Sequence, residues 1–195
     1  VVAFAEQHGL KVLTVADLIA YRQRKETLVQ RVDSLDIDTP AGKAVAHAYT
    51  LPWDTMQHLA IVFGDIRDGE DVPVRLHSEN VVTDVFGSAQ RLDAVMKSMA
   101  ERQRGVIVYL REGSVGVGHP GRARHALEGE EHEEARRREN EWREIGLGAQ
   151  ILKDLGLNRV RLLTNNPKKT DAFVYTGVDL HVVEQVPIVA PPQAL

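Results

Sequence analysis

The chain has 195 residues, a formal net charge of −4 and no cysteine. The length supports one hydrophobic core, or one domain with a short appendage, and the lack of thiols excludes disulfides, thiolate-bound zinc and a cysteine nucleophile. The charge balance argues against a nucleic-acid partner, and no apolar run reaches the ~18 residues of a membrane span, so neither nucleic acid nor membrane is expected as a partner and a cytoplasmic location is.

The chain opens without Met inside an apolar helical patch, Val1 to His8, and reads as part of something longer. Gly9 stands at a helix C-cap position, and Leu10 to Thr14 is strand-like. Asp17 to Lys25 reads as a helix that ends in charge. Asp33 to Pro40 (DSLDIDTP) is polar and turn-rich and reads as a linker. Lys43 to Tyr49, His58 to Phe63 and Val72 to Leu76 are short runs rich in Val, Ala and Ile, separated by Pro52-Trp53-Asp54 and Arg67-Asp68-Gly69. They predict an antiparallel β-meander. Leu92, Val95, Met96 and Met99 fall at helical spacing and form one apolar stripe, with the two Met residues as core filling. Val106 to Leu110 is a continuous apolar run and predicts a buried strand. The strand-helix-strand order points to a mixed α/β domain.

Arg111 to Gly118 (REGSVGVG) is a Gly-rich turn after a strand, a feature that can cradle phosphate with backbone N–H groups. Residues 119–144 are dense in charge. Glu133 with Arg137, Glu134 with Arg138 and Glu139 with Arg143 are i,i+4 pairs in the favourable order, so this stretch reads as an exposed helix rather than a nucleic-acid patch. Ile145, Ala149 and Leu152 share a helical face that Gly156 closes. Arg159 to Leu163 reads as a strand, Thr164 to Lys169 (TNNPKK) as a tight turn toward a helix, and Leu180 to Glu184 as a last strand before a Pro-ended tail.

Several of these stretches resemble a known family. Arg75 to Leu92 (RLHSENVVTDVFGSAQRL) resembles the heart of a GTP cyclohydrolase II domain, which reads R-x-H-S-E-C, then a GD-x-F-x-S turn, then R-C-D-C-G-x-Q-L. Arg75, His77, Ser78, Glu79, Asp84, Phe86 and Ser88 match. Asn80 stands at the first cysteine, and the segment that holds the other two is shortened to Ala89 to Leu92. Glu141 to Leu152 and TNNPKK also match the family. Upstream, FAEQHGLKVLTVADLIAYR resembles the C-terminal end of 3,4-dihydroxy-2-butanone-4-phosphate synthase, which many bacteria fuse in front of a cyclohydrolase II domain. On pattern alone the same residues are any β-α unit. The resemblance divides the chain into residues 1–32 as the synthase end, 33–40 as the linker and 41–195 as the cyclohydrolase-like domain. It implies a three-layer, mixed-sheet α/β fold and a homodimer.

The resemblance also implies a site. Arg75, His77, Ser78, Glu79, Arg111, Glu112, Gly113, Thr164 and Lys169 stand at nucleotide-binding positions. Ser114 replaces a phosphate-binding Arg, which removes a charge-assisted contact. Arg143 stands at the Arg proposed as the family nucleophile, Glu141 at the carboxylate that assists it, and His125 at a catalytic Tyr. Arginine is a poor nucleophile because its pKa lies far above neutral, and Arg143 is equally read as the ion-pair partner of Glu139. TNNPKK is equally read as a turn with solvated lysines. His77 and Glu79 are read as pocket-wall residues; a zinc site rebuilt from them with His119 or His125 is the alternative.

The family reaction needs a metal to activate water at the purine C8. With its cysteines missing, the expected cofactor is none. The expectation is a degenerate cyclohydrolase-II-like domain, unable to open GTP, with a structural, dimerising or regulatory role and a nucleotide or flavin as possible ligand. The alternatives are an active nucleotide-processing enzyme with zinc-independent chemistry on Glu141, Arg143 and His125, and a folding appendage with no ligand.

Overall fold

The computed structural model describes residues 2–14, 17–18, 21–22, 25–86, 90–111, 144–166 and 178–188. Helix α1 is Val2–Gln7, and the described residues among 17–25 are helical too, as the sequence predicts. Seven strands follow: β1 Gln30–Thr39, β2 Gly42–Leu51, β3 Asp54–Gly64, β4 Val72–Ser78, β5 Arg104–Leu110, β6 Arg159–Leu163 and β7 His181–Val186. Helix α2 is Gln90–Arg102, and residues 144–154 form helix α3. No described helix is long and apolar enough to cross a membrane.

The strands make one mixed sheet in the order β1-β2-β3-β5-β4-β6-β7. β1, β2, β3 and β5 pair antiparallel; β5, β4, β6 and β7 pair parallel. Period-two alternation then splits the apolar side chains between two faces. Val62, Val74, Leu76, Val106, Val108 and Leu162 point to one face, where Ile145, Ala149 and Leu152 of α3 cover them. Phe63 and Ile107 point to the other, beneath Val95, Met96 and Met99 of α2. Helix, sheet and helix are the three layers that the family resemblance implies. Met99, Ile107, Ile151 and Leu152 are completely buried, and each such side chain contributes about 1.5–3 kcal/mol of transfer free energy.

Three expectations are corrected. Residues 33–40 are not a linker: Asp33 to Thr39 belong to β1 and pair with β2. β1 is an edge strand exposed along most of its length, so its charges stay solvated and only Leu35 and Ile37 supply a short apolar alternation. Leu10 to Thr14 has no strand partner among the described residues. The meander stops after β3, because β5 inserts between β3 and β4. An all-apolar run such as Val106 to Leu110 needs a neighbour on each side, and local turn signals do not say which. Pro73 stands near the start of β4, in register with Arg161 of β6 and one residue before pairing to β5 begins at Val74.

Gln150 joins the chain's entry to this core. Its side-chain Oε1 accepts from the Leu28 amide at 2.8 Å and its Nε2 donates to the Glu26 carbonyl at 3.1 Å. Four residues on, Asp154 Oδ2 accepts from Arg31 at 2.6 Å and from the buried Tyr49 hydroxyl at 2.7 Å. Gln150→Ala leaves the Leu28 amide without its acceptor and is expected to destabilise by about 1–3 kcal/mol. Hydrogen exchange checks this: the Leu28 amide should lose protection while the β5 amides keep theirs.

Candidate functional site at the carboxyl ends of the parallel strands

β4, β5 and β6 run parallel, so the segments that leave them open onto one edge of the sheet. In open α/β sheets this carboxyl edge is where ligands bind. His77 and Ser78 end β4 and residues 79–86 follow it, Arg111 follows β5 and Thr164 to Asn166 follow β6. The topology thus gathers Arg75, His77, Ser78, Glu79, Arg111 and Thr164 from three segments far apart in sequence. Glu112, Gly113, His125, Glu141, Arg143 and Lys169 lie outside the described residues, as do Ser114 and His119.

The gathered residues do not all face one way. Ser78 Oγ donates to Glu144 Oε2 at 2.6 Å, on the α3 side of the sheet. His77 lies on the α2 side, where its ring stacks on Tyr109 with centroids 5.3 Å apart. Arg75 donates from Nη1 to the Leu163 carbonyl at 3.2 Å. Glu79 is tied by its amide to the Leu110 carbonyl, and its Oε1 lies 3.4 Å from Arg111 Nε. Thr164 is buried; its Oγ1 accepts from the Asn166 amide at 3.0 Å, which shapes the turn after β6.

Asp84 lies at the centre of the α2-side cluster. Its Oδ2 is 3.0 Å from His77 Nε2, 2.8 Å from the Tyr109 hydroxyl and 2.9 Å from the Asn80 amide. Burial alone pushes this carboxyl up, but the donors from Asn80, His77 and Tyr109 outweigh it and hold Asp84 below the ordinary aspartate range. Desolvation, aided by the Asp84 charge, raises the Tyr109 phenol well above its usual value, so it stays a donor. Asp84 reaches this position through a short π-helical turn, Val82–Phe86, capped by Asn80. Asn80 Oδ1 accepts from the Thr83 amide at 3.1 Å, and the Asn80 carbonyl accepts from the Asp84 amide at 2.7 Å. This is N-cap geometry.

His58 was not legible as a site residue. It is buried on β3, and its Nδ1 accepts from the Arg111 amide at 3.1 Å. The proton is therefore on Nε2, which is buried without a partner among the described residues. Burial depresses its pKa and keeps it neutral. Tyr109 and Glu144 also lay outside the candidate set. A polar-tipped ring ending an apolar strand was the available signal for Tyr109. Asp84 stood in the matched motif, but its partners come from the fold. Among the described residues no three His, Asp or Glu side chains converge to hold a metal ion.

A seven-stranded mixed sheet between helices, with polar segments gathered over the ends of its parallel strands, defines a three-layer α/β domain with a candidate site at that edge. Its family is specific. Residues 30–187 match the family model for GTP cyclohydrolase II, and the chain belongs to that family. Among curated relatives, the riboflavin biosynthesis protein RibBA of Bacillus cereus is 40% identical over 96% of this chain and 49% of its own length. RibBA of Chlamydia muridarum is 44% identical over 94% of this chain and 46% of its own length. The chain thus spans about half the length of the curated relatives it matches. Among solved structures, RibBX, a two domain 3,4-dihydroxy-2-butanone 4-phosphate synthase from A. baumannii, superposes with a TM-score of 0.68 at 33% identity, covering 94% of this chain and 47% of that one.

Proposed function

We propose that this chain is the cyclohydrolase-II-type half of a two-domain riboflavin-biosynthesis protein whose activity is that of a 3,4-dihydroxy-2-butanone-4-phosphate synthase. In this reading the half described here does not open GTP. It serves a structural, dimerising or regulatory role, and keeps a pocket for a nucleotide or flavin. The observation that carries the reading is Asn80. It stands where the family resemblance places the first zinc cysteine, and its side-chain oxygen is engaged in capping the turn that follows. With no thiol in the chain and His77 Nε2 held by Asp84, the residues present do not fit a thiolate zinc site. The RibBA and RibBX names support the two-domain context, and residues 1–29, outside the family match, support a preceding synthase domain.

The test is incubation of the purified chain with GTP, with and without added zinc. No formate release in either condition is expected, together with calorimetric binding of GTP or FMN that does not require zinc. Lys169→Ala is then expected to weaken GTP binding about tenfold, the value of one charge-assisted phosphate contact. Stoichiometric zinc with formate release would overturn the reading.

A further inference from the structure

We propose that Asp84 is the positioning residue of this pocket: one of its carboxylate oxygens locks the His77 ring with Nε2–H turned inward and Nδ1 presented to the ligand as a hydrogen-bond acceptor. The identity of the ligand rests on the reading above; the orientation of the ring does not.

The argument begins with donor and acceptor chemistry. An ionised carboxylate oxygen can only accept. Asp84 Oδ2 accepts from the Asn80 amide at 2.9 Å and the Tyr109 hydroxyl at 2.8 Å, so the His77 nitrogen 3.0 Å away must bring the third proton. In the neutral ring, that places the proton on Nε2 and makes Nδ1 the acceptor. Nδ1 has no protein partner among the described residues, and the His77 side chain is 17% exposed. Flipping the ring would exchange a bond to a charged acceptor for a contact with a C–H group, a loss of about tenfold or more in population.

Two further features hold Asp84 still and one holds the ring. Thr83 Oγ1 lies 3.3 Å from Asp84 Oδ1 and 3.2 Å from the Asn80 carbonyl, which share its one proton; the Asn80 cap fixes the turn; and the His77–Tyr109 stack limits ring rotation. The ligand group that Nδ1 fits is therefore a donor: a ring N–H or a sugar hydroxyl, such as a nucleotide and a flavin both carry. An isosteric ligand with an acceptor at that position would be rejected, because two lone pairs would face each other.

The experiment is long-range proton–nitrogen NMR of the His77 ring, assigned with His77→Gln, in the wild-type chain and in the Asp84→Asn and Asp84→Ala variants. The wild type is expected to show a single neutral tautomer with the proton on Nε2. Asp84→Asn, which keeps an acceptor oxygen, should retain it. Asp84→Ala should give mixed tautomers, and should bind whichever of GTP or FMN the wild type binds at least tenfold more weakly. A wild-type ring protonated on Nδ1 overturns the proposal without reference to any variant, and so does an Asp84→Ala ring with its tautomer unchanged. If the wild type binds neither GTP nor FMN, the ligand reading fails, and the tautomer still decides the role of Asp84.

Discussion

Gly64→Ala is expected to destabilise the domain by about 4 kcal/mol or more, the range reserved for a backbone clash that cannot relax. Gly64 ends β3 with φ at +65°, where a side chain is strained. A Cβ there would lie 1.8 Å from the Gln103 carbonyl oxygen and 2.2 Å from its carbon. Neither atom can swing aside, because Gln103 is backbone between α2 and β5 and itself has φ at +49°. The Asp65 amide also donates to that carbonyl at 3.1 Å, so moving it breaks a bond. Thermal unfolding should show the midpoint lowered by roughly 10 °C for a chain of this size. A midpoint within a degree or two of the wild type would show that β3 and α2 meet differently.

The second large effect concerns the contact between α3 and the strand that carries His77 and Ser78. Leu76 is 3% exposed, and Leu76→Ala is expected to cost about 2–5 kcal/mol through lost burial and a residual cavity. The cavity lies against Gly148, where a Cβ would sit 2.7 Å and 2.9 Å from the two Leu76 methyls. Gly148→Ala should therefore behave in opposite ways in two backgrounds. Alone, it crowds Leu76 and gives back little of the roughly 1 kcal/mol of helix propensity that Ala brings over Gly. In the Leu76→Ala background, the new methyl enters vacated space and the propensity gain is realised. Urea unfolding of the four proteins measures the coupling. Additive effects would mean that α3 and β4 do not touch there.

The two helices of the core were legible because their apolar residues recur at helical spacing: the Leu92 to Met99 stripe lies on α2, and Ile145, Ala149 and Leu152 lie buried on α3. β2, β3, β5 and β6 were legible as apolar runs between turn signals. Strand order was not. Val72 to Leu76 looks like the next strand of a meander, and only the fold reveals that β5 claims the place beside β3. β1 was hidden for a different reason: only Leu35 and Ile37 alternate with its acids, and turn-forming Asp, Ser and Pro residues around them read as a linker. The site divides in the same way. Arg75, His77, Ser78 and Glu79 were found through a motif. Tyr109 and His58 have meaning only through partners on other strands, and Asn80 looked like a loss until its cap was visible.

The acidic outer strand has a consequence for how the molecule behaves in a crowd. Among the described residues β1 has a strand neighbour on one side only, and such an edge invites another chain to extend the sheet. A second copy laid antiparallel along it would bring the acidic stretch Asp33 to Asp38 alongside the same stretch of the first, carboxylates near carboxylates. That repulsion resists fibre-like stacking at no cost to the interior, because the charges remain in water. The feature that concealed the strand in the sequence thus works as its protection against aggregation.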